Sequence, residues 1–275
     1  MIGETLGRYK ILSTFASGAE RELYLAEDTA RGRQVALYVL PSGDASGSSE
    51  RSERLRTKIR AIAALSHPNV MAIDEFGEDR SVAYVATGFL EGQTLRQRLR
   101  ESPLSPVEAV EYARQMANGL AAIHGRDILH GDLKPENVFI TSAGKIKLLG
   151  LGLTEPLATE RGYWSPERVE GGTAGSSSDV FSFGAILYEM LSGRAAFSGR
   201  AAVTDHSPPE LGTITSVPPS LEAIVRKCLR KSAAERYASG QDVVDAIDAL
   251  SEEKTTERPP VVDDEAPTRR KWKLF

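Results

Sequence analysis

The stretch that decides the fold is HGDLKPEN, His130–Asn137, which brings Asp132, Lys134 and Asn137 together in a short span. Upstream of it, from Tyr9 to Thr87, the chain is short-patterned, rich in strand formers and punctuated by turns. YKILSTF, ELYLAE, QVALYVL and SVAYVAT each combine β-branched or aromatic residues with near-alternation, the mark of half-buried strands. Between them, Glu50–Leu65 repeats apolar residues at helical spacing, so an antiparallel sheet with one helix is expected. PSGDASGSS, Pro41–Ser49, is rich in glycine and serine and reads as a connector.

Past Gly92 the pattern changes to long helices. Ser105, Pro106 and Glu108 supply an N-cap, a first-turn proline and a capping-box glutamate for a helix running to about His124. Further helices are expected at Ser177–Leu191, Pro219–Leu229 and Gly240–Leu250, the last capped by Ser239. From Ser251 onward, SEEKTTERPPVVDDEAPT is charged, carries prolines and has no period, so residues 251–275 are expected to be a disordered tail ending in the basic aromatic RRKWKLF.

Composition narrows the function classes. Of 275 residues, 41% are hydrophobic and 26% charged, enough apolar material for a substantial core. Thirty-four Lys and Arg against 38 Asp and Glu leave no basic excess to hold a phosphate backbone, so nucleic acid is not an expected partner. The single Cys228 cannot form an intramolecular disulfide, and it shares a helical face with Leu221, Ile224 and Val225, so a core thiol is expected. No basic stretch leads into an apolar leader at the N-terminus, and the longest apolar run, Val180–Leu191, falls short of the ~18 residues that span a bilayer. A cytoplasmic location without a membrane span is the expectation.

HGDLKPEN resembles the catalytic loop of protein kinases, and over Tyr9–Leu250 the chain is similar to bacterial serine/threonine kinases of the eukaryotic-like type. LGRYKIL, LYLAEDTARGRQVAL and SHPNV carry that likeness, as do Ser165–Glu167 (SPE) and Asp179 with FSFGAILYEMLSG. The resemblance implies an α+β, bilobal kinase-like fold: a β-rich N-lobe with one helix and hinge over 1–92, and a mainly helical C-lobe over 93–250. It implies that Asp132 accepts the substrate hydroxyl proton, Lys134 neutralises the transferring phosphate and Asn137 holds a metal ion. It further implies a structural ion pair between Glu167 and Arg236, and a nucleotide site lined by Gly18, Arg21, Ala36, Tyr38, Phe89 and Leu90.

Several positions depart from the kinase pattern together. The third strand ends Val35-Ala36-Leu37-Tyr38, so the phosphate-gripping lysine is replaced by Tyr38, and its glutamate partner falls on Lys58. The glycine-rich loop reads Ala16-Ser17-Gly18-Ala19-Glu20-Arg21, keeping one glycine and adding a negative charge. The metal aspartate falls on Gly150, within Gly150-Leu151-Gly152, which leaves Asn137 as a weak metal ligand and gives Leu151 the apolar role of the usual phenylalanine. Gly131 stands where an arginine commonly precedes the catalytic aspartate. The segment Gly152–Ser165 is short, with Thr154 and Thr159 as its internal threonines, and the substrate-docking helix between Phe197 and Pro208 looks reduced or missing.

These departures make ATP a weak ligand and Mg²⁺ an unexpected one, and they leave three readings open. The first is a pseudokinase that acts by binding a signalling protein or a true kinase. The second is a slow kinase in which Arg21 compensates for the lost strand lysine, as a lysine in the matching loop position does in the with-no-lysine kinases. The third is a nucleotide sensor that works without metal. Lys58 is expected to be a solvated helix residue, with Leu55, Ile59 and Ile62 positioning its helix.

Overall fold

The computed structural model describes residues 1–18, 21–40, 50–102, 104–151 and 162–256. Strands β1 (Thr5–Leu6), β2 (Tyr9–Gly18), β3 (Arg21–Asp28), β4 (Arg33–Val39), β5 (Ile73–Asp79) and β6 (Val82–Gly88) form one antiparallel sheet in the order β1-β2-β3-β4-β6-β5. Alternation sends their side chains to two faces. Val35 and Leu37 of β4 join Tyr9, Ile11, Ala26 and Tyr84 in a small core on one face. The opposite face carries Tyr38 and Val85 toward the main core, where helix α1 (Glu50–Ala63) packs with Ile59 and Ile62 fully buried and Leu55 partly so. The expected apolar seating of this helix is thus observed.

A second sheet, β7 (Gly92–Thr94), β8 (Val138–Thr141) and β9 (Ile146–Leu148), is separate from the first. The segment 89–91 joins the two, and a bridge between Val70 and Leu148 docks one half against the other. Around the second sheet lie α2 (Leu95–Glu101), α3 (Pro106–His124), α4 (Pro166–Val169), α5 (Ser176–Ser192), α6 (Arg200–Asp205), α7 (Pro219–Cys228) and α8 (Gly240–Thr256). The architecture is the expected bilobal α+β fold. Both expected caps form: Ser105 Oγ accepts the Glu108 N–H at 3.3 Å, and Ser239 Oγ accepts the Asp242 N–H at 3.4 Å. The docking helix is reduced rather than missing, since α6 occupies its stretch. Helix α8 continues to Thr256, past the expected start of a disordered tail at Ser251; residues 257–275 lie outside the described part.

Helix α5 is buried continuously from Ser178 to Leu191, so it is the axis around which the helical lobe packs. Gly184 lets α7 approach it. A Cβ built on Gly184 would lie 2.5 Å from Cys228 Cβ and 3.2 Å from Leu229 Cδ2. Cys228 is fully buried, and burial pushes its thiol up to about 12, so it is the inert core thiol expected from the helical pattern. Gly184→Ala should therefore force the two helices apart and destabilise the protein by about 1–3 kcal/mol, readable as a lowered urea midpoint with unchanged slope.

Candidate active site

The site is built upward from Asp179, in the first turn of α5. Its buried carboxylate accepts the backbone N–H of His130 at 2.8 Å and of Gly131 at 2.9 Å. His124, the last residue of α3, adds Nε2 at 3.1 Å, while its Nδ1 accepts the Gly240 N–H at 3.0 Å, which assigns the imidazole proton to Nε2. Burial alone would raise the Asp179 carboxyl, but these hydrogen bonds, that from His124 foremost, outweigh it and hold the group below the usual carboxylate range. Burial also pushes His130 down to about 4, so its ring is neutral.

From this anchor the chain turns through the residues expected to be catalytic, and the structure brings all three together. Asn137 Nδ2 donates to Asp132 O at 2.7 Å and to Asp132 Oδ2 at 2.8 Å; Lys134 Nζ lies 3.3 Å from the same Oδ2. All three side chains are buried. The short turn Pro135–Asn137 fixes their spacing, and Leu149 N–H closes on Asn137 O at 2.8 Å.

Gly150 faces this cluster. It has φ +79°, and a Cβ on it would lie 3.3 Å from Asn137 Oδ1. Leu151 beside it is buried in the main core, as expected for the apolar position. A hard divalent cation takes carboxylate oxygens in preference to neutral ones. Gly150 offers none, and Asp132 Oδ2 is already engaged by Asn137 and Lys134.

The expected nucleotide positions lie on the first sheet and on the segment that follows β6. Gly18 and Arg21 are Cα partners where β2 meets β3; the Arg21 side chain and residues 19 and 20, with the Glu20 charge, lie outside the described part. Ala36 pairs with Leu25 and Thr87, and Tyr38 with Leu23 and Val85. Phe89 and Leu90 follow β6, half-buried. Phe15, which the sequence pattern did not single out, stacks on Phe89 with ring centroids 5.8 Å apart and tethers β2 to the segment joining the lobes. Thr154 and Thr159 lie outside the described residues.

Lys58 corrects an expectation. It is not a solvated helix lysine: its ammonium points between the lobes, 3.9 Å from where a Gly131 Cβ would stand. Burial lowers its pKa from the ordinary lysine value, the Asp179 and Asp132 charges oppose that shift, and Arg168 adds to it. Arg168, from α4, donates through Nη1 to Gly131 O and lies 4.4 Å above the Trp164 ring. A second network missed from sequence ties α2 to the loop: Arg96 meets Glu136 and Glu189, each at 2.6 Å, and Tyr163 Oη hydrogen-bonds both Arg96 and Glu189.

The Glu167–Arg236 pair forms as expected, bidentate at 2.8 and 2.9 Å, with Arg236 also donating to the carbonyls of Ser177, Arg230 and Lys231. Partial burial would raise the Glu167 carboxyl; hydrogen bonds from Arg236 and Ser178 outweigh it and hold the group at about 2.

Residues 9–248 match the protein kinase domain family. Serine/threonine-protein kinase PrkC of Bacillus subtilis is 32% identical over 263 residues, covering 88% of this chain and 40% of PrkC. Serine/threonine-protein kinase pkn2 of Myxococcus xanthus is 34% identical over 269 residues, covering 88% of this chain and 32% of pkn2. The chain thus spans well under half the length of these two relatives. Among solved structures, the kinase domain of Mycobacterium tuberculosis PknI superposes with a TM-score of 0.77 at 22% identity, covering 90% of this chain and 98% of that one. Among the described residues no helix is long and apolar enough to cross a membrane.

Three outcomes follow from the charges. Lys58→Met removes a desolvated cation and should change the unfolding free energy by less than about 1 kcal/mol. Lys58→Glu sets a third carboxylate beside Asp132 and Asp179 and should cost about 2 kcal/mol or more by urea denaturation, where a surface site would cost under about 0.5. For Glu167, the folded-state pKa of about 2 lies below the ordinary 4.5, so its contribution is full above pH 4.5 and lost as pH falls toward 2. Glu167→Gln should flatten the stability profile across that window in acid-unfolding measurements.

Proposed function

Because the chain belongs to the protein kinase domain family, and within it to the bacterial serine/threonine type, we propose that it is a catalytically impaired member that acts in cytoplasmic signalling by binding a protein partner. The family's chemistry is phosphotransfer from ATP, which depends almost entirely on positioned charge. The observation that carries the reading is Gly150 facing Asn137 Oδ1, a residue without a carboxylate at the position where the family carries its metal aspartate. Tyr38 in place of the strand lysine supports it, as does Lys58, whose cation lies toward Gly131 instead of contributing a glutamate to the nucleotide side. If each lost contact costs on the order of 10² to 10³ in rate, two together cost roughly 10⁴ to 10⁶. Asp132, Lys134 and Asn137 are kept in this reading because they hydrogen-bond one another and hold the loop, a task that needs no turnover.

ATP, where it binds, binds weakly and gains little from Mg²⁺. The alternative of a slow, non-standard kinase places Arg21, Lys134 and Asn137 on the phosphates, and a metal-independent nucleotide sensor would use the same cations without turnover. A thermal-shift titration with ATP, with and without Mg²⁺, separates these readings. The impaired-kinase reading expects a shift of at most a degree or so that metal does not enlarge. A large shift without metal supports the sensor, and a large Mg²⁺-dependent shift overturns the proposal. Arg21→Ala should weaken any ATP binding more than Tyr38→Ala does. Restoring Tyr38→Lys and Gly150→Asp should not suffice, since Lys58 repels the new lysine and an aspartate at φ +79° costs about 1–2 kcal/mol; adding Lys58→Glu should help further.

A further inference from the structure

Strand β2 carries two residues more than its partner. Against β3, Ile11 pairs with Ala26 and Ser13 with Leu25, then Thr14 with Tyr24 and Ala16 with Leu23, so Leu12 and Phe15 are each left over in a bulge. A bulge bends its strand and re-aims a side chain. Both extra residues are apolar and open to solvent, Leu12 36% and Phe15 54% exposed. Phe15 nevertheless finds a partner far along the sheet: its ring stacks on Phe89 with centroids 5.8 Å apart and the planes at 25°. Phe89 directly follows β6, and β3 and β4 lie between β2 and β6. With strands about 4.8 Å apart, three spacings separate those backbones by roughly 14 Å, so the two rings meet across a face of the intervening strands.

Alternation identifies the face. Val35 and Leu37 fill the small core with Tyr24 and Ala26, so Leu23, Leu25 and Ala36 point to the other side. There they stay half-buried, and among the described residues they join neither core. A flat ring between Phe15 and Phe89 would need them about 7 Å apart, twice the ~3.5 Å contact distance, so the stack is shut. We propose that the Phe15–Phe89 stack is a bar over the apolar face of Leu25 and Ala36, and that a planar heterocycle reaches this face only when the stack parts. The bar rests on the reading that sets a nucleotide base against Ala36, Phe89 and Leu90, and it adds a steric cause of weak ATP binding to the missing charges. A competent state present for only a fraction of the time lowers the apparent affinity by that fraction. An aromatic pair biases such an equilibrium by about 2- to 10-fold, which is the effect of the bar.

Adenosine isolates this effect, because it carries the base without phosphates and calls for no metal. In calorimetric titrations, Phe15→Ala should bind adenosine about 2- to 10-fold more tightly than the unmodified protein. Leu12→Ala, at the other bulge, should leave the affinity unchanged. Should Phe15→Ala fail to fold, Phe89→Leu, which removes the second ring and keeps the segment apolar, decides in its place and should tighten binding in the same direction. Equal binding in the deciding variant would make the stack a bystander, and weaker binding would make the ring a contact of the base. Either overturns the proposal, as does the absence of saturable binding in every variant or the same gain in Leu12→Ala. None of these failures touches the impaired-kinase reading, which stands on Gly150, Tyr38 and Lys58.

Discussion

The carboxylate of Asp179 sits in the first turn of the most deeply buried helix and holds two consecutive backbone N–H groups of the loop above it. A buried carboxylate is costly unless its lone pairs are filled, and here His130, Gly131 and His124 fill them. Because His124 in turn accepts from Gly240, the one anion fixes the end of α3, the start of α8 and the catalytic loop together. Asp132, Lys134 and Asn137 inherit their positions from that anchor and then lock one another through shared hydrogen bonds. The Glu167–Arg236 pair performs the same service for α4.

This arrangement separates what the fold requires from what phosphotransfer requires. The anchoring groups are all in place. On the reading proposed above, the positions that serve phosphate and metal in the family have lost their charge or reversed it: tyrosine at 38, lysine at 58, where the partner of the strand lysine would stand, and glycine at 150. A fold can persist through such replacements because its stability comes from the buried helix, the two sheets and the polar anchors, none of which uses the nucleotide. The reversal at Lys58 then has a consequence of its own, since its cation lies toward Gly131 and feels the carboxylates of Asp179 and Asp132 without touching either.

Much of the fold was legible in sequence because local signals and strings carried it. Ser105 and Glu108 marked the start of α3, alternation in QVALYVL marked β4, and HGDLKPEN with SPE and Asp179 marked the loop and its supports. Helix α2 escaped notice because LRQRLRE is too short and too charged for periodicity to register, although Thr94 and Gln97 form a capping box that could have announced it. Arg96 meeting Glu136 and Glu189, Phe15 stacking on Phe89, and Lys58 reaching Gly131 are contacts between distant segments, and helical or strand periods carry no trace of them. The same holds for Lys58: on a helical wheel it is one more charged residue, and nothing in the helical period shows that its ammonium lies toward Gly131.

Phosphotransfer itself tests the central claim most directly. The measurement is incorporation of labelled phosphate from Mg·ATP into the chain and into a generic protein substrate, for the unmodified protein and for Asp132→Asn. Impaired catalysis predicts a rate at least about 10⁴-fold below the 1 to 100 s⁻¹ of ordinary kinases, and no further loss in Asp132→Asn. An ordinary rate that Asp132→Asn abolishes would contradict it.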